Sequence, residues 1–403
     1  MPKISVFITS YNYGEYIEQA IQSVLAQTYQ DFEVIIIDNA STDNSIEIIE
    51  KYTKISPKIH LYQHPDGKNH GLIASIKLGI EKAKGDYIAF VEADDFIEKT
   101  NFEKKMNIFE KYSEVNFVFN NFEYIGDSNR ITTLKNHYDF LQELFSTFNN
   151  PFDYSPYIGA LNIVVTLSSV MMKKEVLSRC NLDSPIEPHI DIWLYPQIAQ
   201  YGKAFCLNEK LTTFRQHQKS ATAITRSQIS REQSKNLLFE LFKILKQNNP
   251  EKYNETLLES ILEKLILFKT IILKSKKEEL LQKIKNKKIY LYGAGLFAKE
   301  VLESFDFSGV NICGFIDTNY QKCGQKLGEY EIFHINQIEC LNPEILLLCV
   351  SEPELLYYSL ECLIAEKNLS TKIIPNMFEE IKYSKIIKNK NLKLEEIVAD
   401  IIV

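Results

Sequence analysis

The first hundred residues alternate between strand-like apolar runs and amphipathic stretches. Strands are predicted at residues 4–9, 32–38, 59–64 and 87–92. Helices are predicted between them, at about residues 15–26, 45–52 and 71–85, the last closed by Gly85. Runs dominated by apolar residues, such as ISVFIT, are typical of strands buried on both faces. Strands that alternate with helices predict a parallel sheet with right-handed crossovers.

The later pattern divides the chain further. Residues 226–286 are rich in lysine and carry apolar residues at helical spacing, which favours a helical linker packed on its neighbours. A dimerisation hairpin that makes a homodimer, or a face that associates peripherally with a membrane, are the alternatives. Residues 287–380 return to an α/β pattern, and residues 381–403 read as a basic segment and a terminal helix. The predicted class is α/β: residues 1–225 form one domain and residues 287–380 a smaller Rossmann-type domain.

Composition excludes several classes of protein. A chain of 403 residues suits two or more domains. The net charge of −7 gives no basic field for nucleic acid, so no nucleic-acid partner is expected. The seven cysteines contain no C-x-x-C pair, which argues against a structural zinc site and for a reducing compartment. The start Met-Pro-Lys leads directly into a strand, so no signal peptide is expected and the predicted location is cytoplasmic.

Polar residues collect where the four predicted strands end. They are Thr9 to Asn12, Asp38-Asn39, Gln63-His64 and Glu92 to Asp95. In open α/β sheets, ligands bind beyond the carboxyl ends of the strands. Three carboxylates in four residues repel one another unless a divalent cation neutralises them, and oxygen ligands suit Mg²⁺ or Mn²⁺ with a bound diphosphate. The alternative is a solvated acidic turn in which Asp94 or Asp95 caps the next helix.

These segments resemble a known enzyme family. ISVFITSYNYGEYIEQAIQSVLAQTYQDFEVIIIDNASTDNS, KGDYIAFVEADD and LTTFRQH are similar, in order and spacing, to family 2 glycosyltransferases. The resemblance covers about residues 1–225. It implies a GT-A fold, with a Rossmann-like mixed sheet, and inverting transfer of a sugar from a nucleotide-sugar donor with Mn²⁺ or Mg²⁺ as cofactor.

The resemblance assigns donor-site roles to residues at the strand ends. Thr9, Tyr11 and Asn12 would line the nucleobase pocket, and Asp38 and Asn39 would face the base and ribose. Glu92 and Asp94 stand at the family's D-x-D motif, with Asp94 as the metal carboxylate supported by Asp95. The sequence departs from the family at Asn39, Glu92, Ile76 and Ile190. Asn39 can still accept a hydrogen bond from a uracil N–H, which favours a UDP-sugar.

The resemblance also implies an acceptor site and a group of diphosphate contacts. Asp191 would be the general base that takes the proton of the attacking acceptor hydroxyl. His189 is a rival base, and Asp191 as a helix N-cap is the structural alternative. Arg215 would close over the diphosphate and His217 would touch the metal; Lys68 or Lys77 would add positive charge, although each of these can also be a plain surface residue.

The C-terminal α/β segment carries a glycine motif in a strand–turn–helix context. Gly293-Ala294-Gly295-Leu296-Phe297-Ala298 follows a predicted strand, and a second strand ends in Asp317. This segment resembles the small nucleotide-sugar-binding domain found at the start of some sugar acyltransferases. Gly293, Gly295 and Asp317 are its candidate ligand residues, and the ligand would be NAD, a nucleotide sugar, or none.

The leading hypothesis is therefore a hexosyltransferase-like enzyme of surface polysaccharide synthesis: capsule, lipooligosaccharide or O-chain. Its partners would be a nucleotide-sugar donor and a glycan or lipid-linked glycan acceptor, and it would work in the cytoplasm or at the inner membrane face. Two alternatives remain open. The departures from the family motifs also fit a degenerate nucleotide-sugar-binding module, and the C-terminal glycine motif also fits NAD-dependent sugar modification.

Overall fold

The computed structural model divides into two compact units, and the boundary between them falls after residue 265. It describes residues 1–127, 144–157, 163–186, 190–217, 231–263, 284–350 and 353–374, together with residues 141, 219, 220, 265, 281 and 393. The predicted limits of the four segments stay predictions.

The first unit is built on one mixed sheet. Its strands are β1 (Ile4–Ser10), β2 (Phe32–Asp38), β3 (Ile59–Gln63), β4 (Tyr87–Phe90), β5 (Phe96–Ile97), β6 (Val115–Gly126), β7 (Val170–Lys173) and β8 (Lys203–Gln216). Among the described residues they lie in the order β3-β2-β1-β4-β7-β6-β8-β5. The first four are mutually parallel, as predicted, and β7 runs antiparallel between β4 and β6.

Helices connect these strands and cover the sheet. They are α1 (Ile17–Leu25), α2 (Ser45–Ile55), α3 (Gly71–Lys82), α4 (Asn101–Lys111), α5 (Lys174–Leu177), α6 (Ile190–Ile198) and α7 (Arg231–Asn248). The apolar residues of α1 recur at helical spacing, and all four that face the sheet are buried: Ile17, Ala20, Ile21 and Val24. Parallel strands joined by helices bring the carboxyl ends of β2, β1 and β4 to one edge, called here the carboxyl edge.

Gly85 does not end α3, contrary to the prediction. The helix ends at Lys82, three residues earlier, with Ala83 as its C-cap in an extended conformation. A Cβ at Gly85 would lie 2.6 Å from the backbone nitrogen of Ser5, and the Gly85 N–H donates to the Ser5 hydroxyl at 2.8 Å. Glycine is needed here because the chain passes directly against β1 before it enters β4.

Residues 231–263 of the helical segment belong to the first unit. Tyr253 donates from its hydroxyl to the carbonyl of Pro196 in α6 at 3.3 Å, and Lys252 bonds the carbonyl of Ala199 at 3.0 Å. Residues 255–263 continue as helix. Within the described residues, no helix is both long enough and apolar enough to cross a membrane.

The second unit is a smaller α/β domain. Its strands are β9 (Ile289–Tyr292), β10 (Ile312–Asp317), β11 (Lys326–Leu327), β12 (Tyr330–His334), β13 (Ile345–Leu348) and β14 (Lys372–Ile374), and its helices are α8 (Leu296–Ser304), α9 (Ile338–Leu341) and α10 (Pro353–Glu366). Among the described residues the order is β11-β12-β10-β9-β13-β14, and only β11 is antiparallel to its neighbour. The α/β class, with a mixed first sheet and a smaller second sheet, is confirmed.

Candidate active site

The acidic loop, residues 92–95, follows β4 at the carboxyl edge. Neither Asp94 nor Asp95 caps a helix, because α4 begins at Asn101 with Thr100 as its N-cap. Asp95 is fully buried and accepts hydrogen bonds on both oxygens: Oδ1 from the backbone N–H of Arg215 at 2.9 Å, and Oδ2 from the hydroxyls of Thr166 at 2.9 Å and Ser168 at 2.7 Å. This carboxylate therefore joins three parts of the chain.

Asp94 points in a different direction from these donors and meets His217. Its Oδ2 lies 2.9 Å from Nε2 of His217, and the two side chains are 11% and 12% exposed. His217 directly follows β8, so the ends of β4 and β8 converge here. Carboxylate and imidazole groups are both ligands of divalent cations, and here the two groups already face each other.

Among the described residues, no group of three or more His, Cys, Asp or Glu side chains is placed to hold a metal. The predicted set of Asp94, Asp95 and His217 therefore reduces to a pair, since the oxygens of Asp95 bond protein donors. Proteins commonly hold Mg²⁺ through one or two carboxylates and complete its shell with substrate phosphates and water. Asp94 and His217 fit a cation bound in that way.

Arg215 lies beside the same loop. Its Nε donates to the backbone carbonyl of Asp94 at 2.9 Å, and its Nη2 donates to Oε1 of Gln19 at 2.7 Å. The guanidinium carbon is 4.9 Å from the centre of the Tyr16 ring. Arg215 thus has a fixed position next to Asp94, where a leaving diphosphate would gain charge.

Glu92 and Asp191 belong to one electrostatic environment. Burial raises the pKa of the Glu92 carboxyl to about 7, and the negative charges of Asp94 and Asp191 add to this shift. The Thr166 hydroxyl lies 2.7 Å from Oε2 of Glu92 and 2.9 Å from Oδ2 of Asp95, so the two carboxyl groups share its single proton. Asp191 lies in the first turn of α6, one residue inside the helix, and is partly buried. The rival base His189 lies outside the described residues.

The loops after β1 and β2 are joined to each other by side chains predicted to face the nucleotide. Asn12 has a left-handed backbone, with φ of 59°. Its N–H donates to the Ser41 hydroxyl at 2.9 Å, and its Oδ1 accepts from the N–H of Thr42 at 2.7 Å. Asp38 is fully buried, and its two oxygens accept from the N–H and hydroxyl of Ser41 at 2.9 and 2.6 Å.

Asn39 holds the start of α3. Its Oδ1 accepts from the N–H of His70 at 2.9 Å, and its Nδ2 donates to Oδ1 of Asn69 at 2.8 Å. The amide that was predicted to meet a uracil N–H is thus already engaged with this loop. Thr9 is partly buried in β1, whereas Tyr11 is 46% exposed and leaves its ring available for stacking.

The two candidate lysines lie on the surface. Lys77 pairs with Asp183, and both side chains are exposed, as the structural alternative for Lys77 expects. Lys68 lies in the exposed loop before α3, where its N–H donates to Asp66 at 3.2 Å. Neither residue shares a hydrogen bond with the acidic loop among the described contacts.

In the second unit, Asp317 bonds the glycine motif. Oδ2 of Asp317 accepts from the N–H of Ala294 at 2.8 Å and from Nζ of Lys322 at 3.0 Å. Oδ1 accepts from the N–H of Asn319 at 2.8 Å. A Cβ at Gly295 would meet no atom within 4 Å, so this backbone is open to close approach.

Sequence reasoning missed the side chains that arrange this site. Thr166 and Ser168 bond Asp95, while Gln19 bonds Arg215 and Tyr16 contacts His217. Threonine, serine and glutamine are common on surfaces, and nothing in their local pattern indicates partners about 70 to 200 positions away.

Comparisons with known proteins match two regions of the chain to family models. Residues 5–177 match the family model for glycosyl transferase family 2, and residues 288–350 match that for the PglD N-terminal domain. An uncharacterized glycosyltransferase of Haemophilus influenzae is 44% identical over 107 residues, 27% of this chain and 42% of that protein. The putative teichuronic acid biosynthesis glycosyltransferase TuaG of Bacillus subtilis is 37% identical over 105 residues, 26% and 41% of the two chains. The chain thus spans about two-fifths of these relatives' length.

Two solved structures align with part of the chain. One is the fragment 1–349 of TarS from S. aureus in complex with UDP, with a TM-score of 0.46, 17% identity and coverage of 65% of this chain and 70% of that one. The other is the mannosyltransferase PcManGT of Pyrobaculum calidifontis in complex with GDP-Man and Mn²⁺, with a TM-score of 0.44, 13% identity and coverage of 70% and 81%. Residues 5–177 of the chain are therefore similar to glycosyl transferase family 2, and residues 288–350 are similar to the PglD N-terminal domain.

Proposed function

We propose that the first unit transfers a sugar from a nucleotide-sugar donor to an acceptor hydroxyl, with inversion at the anomeric carbon and with help from a divalent cation. One observation carries the proposal: Asp94, which lies in the segment that matches family 2, meets His217 at 2.9 Å. The charge of Asp191 acts on Glu92, which stands two residues before Asp94. A cation site and a base candidate therefore lie at one edge of the sheet.

Asp191 acts as the general base. The acceptor oxygen forms a bond to the anomeric carbon while the bond from that carbon to the diphosphate oxygen breaks. The electron pair of the broken bond leaves with the diphosphate, and the acceptor proton moves to the Asp191 carboxylate. Attack from the face opposite the leaving group inverts the configuration.

Asp94 and His217 would hold the cation, and Arg215 lies beside Asp94. The bound cation supplies positive charge that neutralises the leaving diphosphate. The Arg215 guanidinium adds a second positive charge at the same place, because its Nε is fixed 2.9 Å from the Asp94 carbonyl. Lys68 and Lys77 are weaker candidates for this role, since both lie on exposed surface.

The donor is a UDP-sugar in this proposal. Tyr11 stacks on the base, and Thr9 borders the pocket. Asn12, Asp38 and Asn39 shape the pocket by holding the loops around it. Oδ1 of Asn39 already accepts one hydrogen bond, from the N–H of His70. In this proposal its second lone pair accepts the hydrogen bond from the base.

The acceptor is a growing surface glycan, free or lipid-linked. The match to a putative teichuronic acid glycosyltransferase supports a cell-envelope polysaccharide, although it covers 26% of this chain. Nucleotide sugars and lipid-linked glycans meet at the cytoplasmic face of the membrane, which we propose as the site of action.

The second unit binds a nucleotide sugar. Asp317 orders the glycine loop of this unit, because its two oxygens accept hydrogen bonds from Ala294, Asn319 and Lys322. The open backbone at Gly295 and the left-handed turn at Gly293, with φ of 94°, leave room for a diphosphate at the start of α8.

A donor panel tests the proposal. The full chain is incubated with UDP-glucose, UDP-galactose, UDP-GlcNAc, UDP-GalNAc and GDP-mannose, with Mn²⁺ or EDTA, and release of nucleoside diphosphate is measured with and without oligosaccharide acceptors. We expect release with one UDP-sugar and Mn²⁺, lost in Asp94→Ala and Asp191→Ala. Nucleotide binding without turnover across the panel would instead support a degenerate binding module, and turnover that requires NAD would place the chemistry in the second unit.

A further inference from the structure

The ring of Tyr16 contacts two side chains beside the acidic loop, those of His217 and Arg215. Its centroid is 4.8 Å from the centroid of the His217 ring, at an interplanar angle of 41°. The guanidinium carbon of Arg215 lies 4.9 Å from the same ring centre. Tyr16 is the residue directly before α1, so its backbone is fixed by a helix whose inner face is buried.

Gln19 holds Arg215 from the same helix. Its Oε1 accepts from Nη2 of Arg215 at 2.7 Å, while Nε and the backbone N–H of Arg215 bond Asp94 and Asp95 on the other side. Residues 215–217 are therefore held between α1 and the acidic loop.

Tyr16 determines where the imidazole of His217 can lie. A metal-binding histidine needs its ring orientation set by neighbouring groups, and loss of such groups weakens metal affinity about 10- to 100-fold. Tyr13 also touches the ring edge-on, but its centroid is farther away, at 6.0 Å. The close, tilted contact from Tyr16 is the one that opposes rotation of the ring away from Asp94.

We propose that Tyr16, assisted by Gln19, is a positioning residue that holds His217 against Asp94, so that the divalent-cation site is preassembled before the nucleotide sugar binds. The proposal rests on the proposed function, because it takes Asp94 and His217 as the cation ligands. It goes further in assigning the order of binding and the residue that imposes it.

The test measures Mn²⁺ binding to the full chain without nucleotide, by the loss of the electron paramagnetic resonance signal of free Mn²⁺. Wild-type protein and Tyr16→Phe, which keeps the ring, should bind with affinities within about 3-fold of each other. Tyr16→Ala should bind about 10-fold more weakly or worse. Tyr112→Ala, which removes another partly buried tyrosine, is the matched control and should bind like wild type.

Further variants keep the outcome decisive. Where Tyr16→Ala does not fold, Tyr16→Leu and Gln19→Ala replace it, with thermal melting as the check of folding. Unchanged Mn²⁺ affinity in these variants contradicts the proposal, as does a wild-type protein that binds Mn²⁺ only after UDP is added. Mn²⁺ binding that depends on Tyr16 in a protein that transfers no sugar would support this inference and contradict the proposed function.

Discussion

Asp94 and His217 are 123 positions apart in the chain, and their side chains meet at 2.9 Å. The contact forms because β4 and β8 end at the same edge of the first unit, one before the acidic loop and the other before His217. Two adjacent acids in the loop thereby acquire different tasks: Asp94 faces the imidazole and Asp95 bonds the protein.

Replacement of Asp95 by alanine should mainly lower stability. The hydroxyls of Thr166 and Ser168 and the N–H of Arg215 would lose a buried acceptor, which costs about 1–3 kcal/mol for each group left unsatisfied. We expect a loss of about 2 kcal/mol or more in urea unfolding. Asp94→Ala is the matched comparison and should change stability by under about 1 kcal/mol; equal losses in both variants would contradict the division of tasks.

Asp191→Asn should remove transfer while keeping donor binding. An amide cannot take the acceptor proton, and loss of a general base lowers rates about 10²- to 10⁴-fold. We therefore expect kcat to fall by at least about 100-fold with little change in the affinity for UDP. Steady-state kinetics and a UDP titration on the same preparations measure both quantities.

Asp86→Asn is the control for that experiment. Asp86 pairs with Lys3 at the opposite end of β4, and its side chain is 70% exposed. Its replacement should leave transfer unchanged. Residual activity in Asp191→Asn near that of Asp86→Asn would show that another group, such as His189, is the base.

Lys105 should make stability depend on pH. It is fully buried in α4, and burial lowers the pKa of its ammonium group well below the ordinary 10.5. Between the folded and unfolded pKa values the unfolded chain binds one more proton, so this lysine's contribution to the free energy of unfolding rises with pH. Lys105→Met should stabilise by about 1–3 kcal/mol at pH 7, and by less at pH 10.

Urea unfolding at the two pH values measures this effect. Lys104→Met is the control, because Lys104 is the next residue on the same helix but pairs with Glu209 near the surface. It should shift stability by under about 1 kcal/mol at both pH values. A gain in Lys105→Met that is equal at pH 7 and pH 10 would mean that the lysine does not fold uncharged.

Asp317→Ala should loosen the glycine loop of the second unit. Burial by itself would raise the pKa of Asp317, but hydrogen bonds from Ala294, Asn319 and Lys322 outweigh it and lower the pKa. Removing this acceptor should cost about 1–3 kcal/mol and speed hydrogen exchange at Ala294. Lys322→Met, which removes only a partly exposed cation, should cost under about 1 kcal/mol; exchange at Ala294 that is unchanged in Asp317→Ala would refute the assignment.

Much of the fold was predictable because it depends on local pattern. The mainly apolar runs predicted β2 at its observed limits and β1 to within one residue, because buried parallel strands carry apolar residues on both faces. Gly85 was misassigned because a glycine after a helix is commonly a C-cap. Its actual role depends on contact with Ser5, 80 positions away, which no local pattern shows.

The location of the candidate site could be predicted from the sequence, but most of its side-chain contacts could not. Strand ends indicated the edge where Asp38 and Asp94 lie, because that follows from parallel topology. His217 was assigned from the family resemblance alone. The pattern could not show that Asp95 bonds Ser168, that Asn39 bonds His70, or that Tyr16 contacts His217. Each of these contacts joins residues that come together only when the whole sheet has formed.

The central claim is that Asp94 supplies a cation site used by a uridine nucleotide. Its most direct test is thermal unfolding of wild-type protein and Asp94→Ala with UDP, with Mn²⁺, and with both. Ligand at about 100 times its Kd stabilises the native state by about 2.7 kcal/mol. We predict that UDP raises the Tm of wild type more with Mn²⁺ than without it, and that Asp94→Ala loses the Mn²⁺-dependent part. A UDP shift that is absent, or that is the same with and without Mn²⁺ and Asp94, would contradict the account.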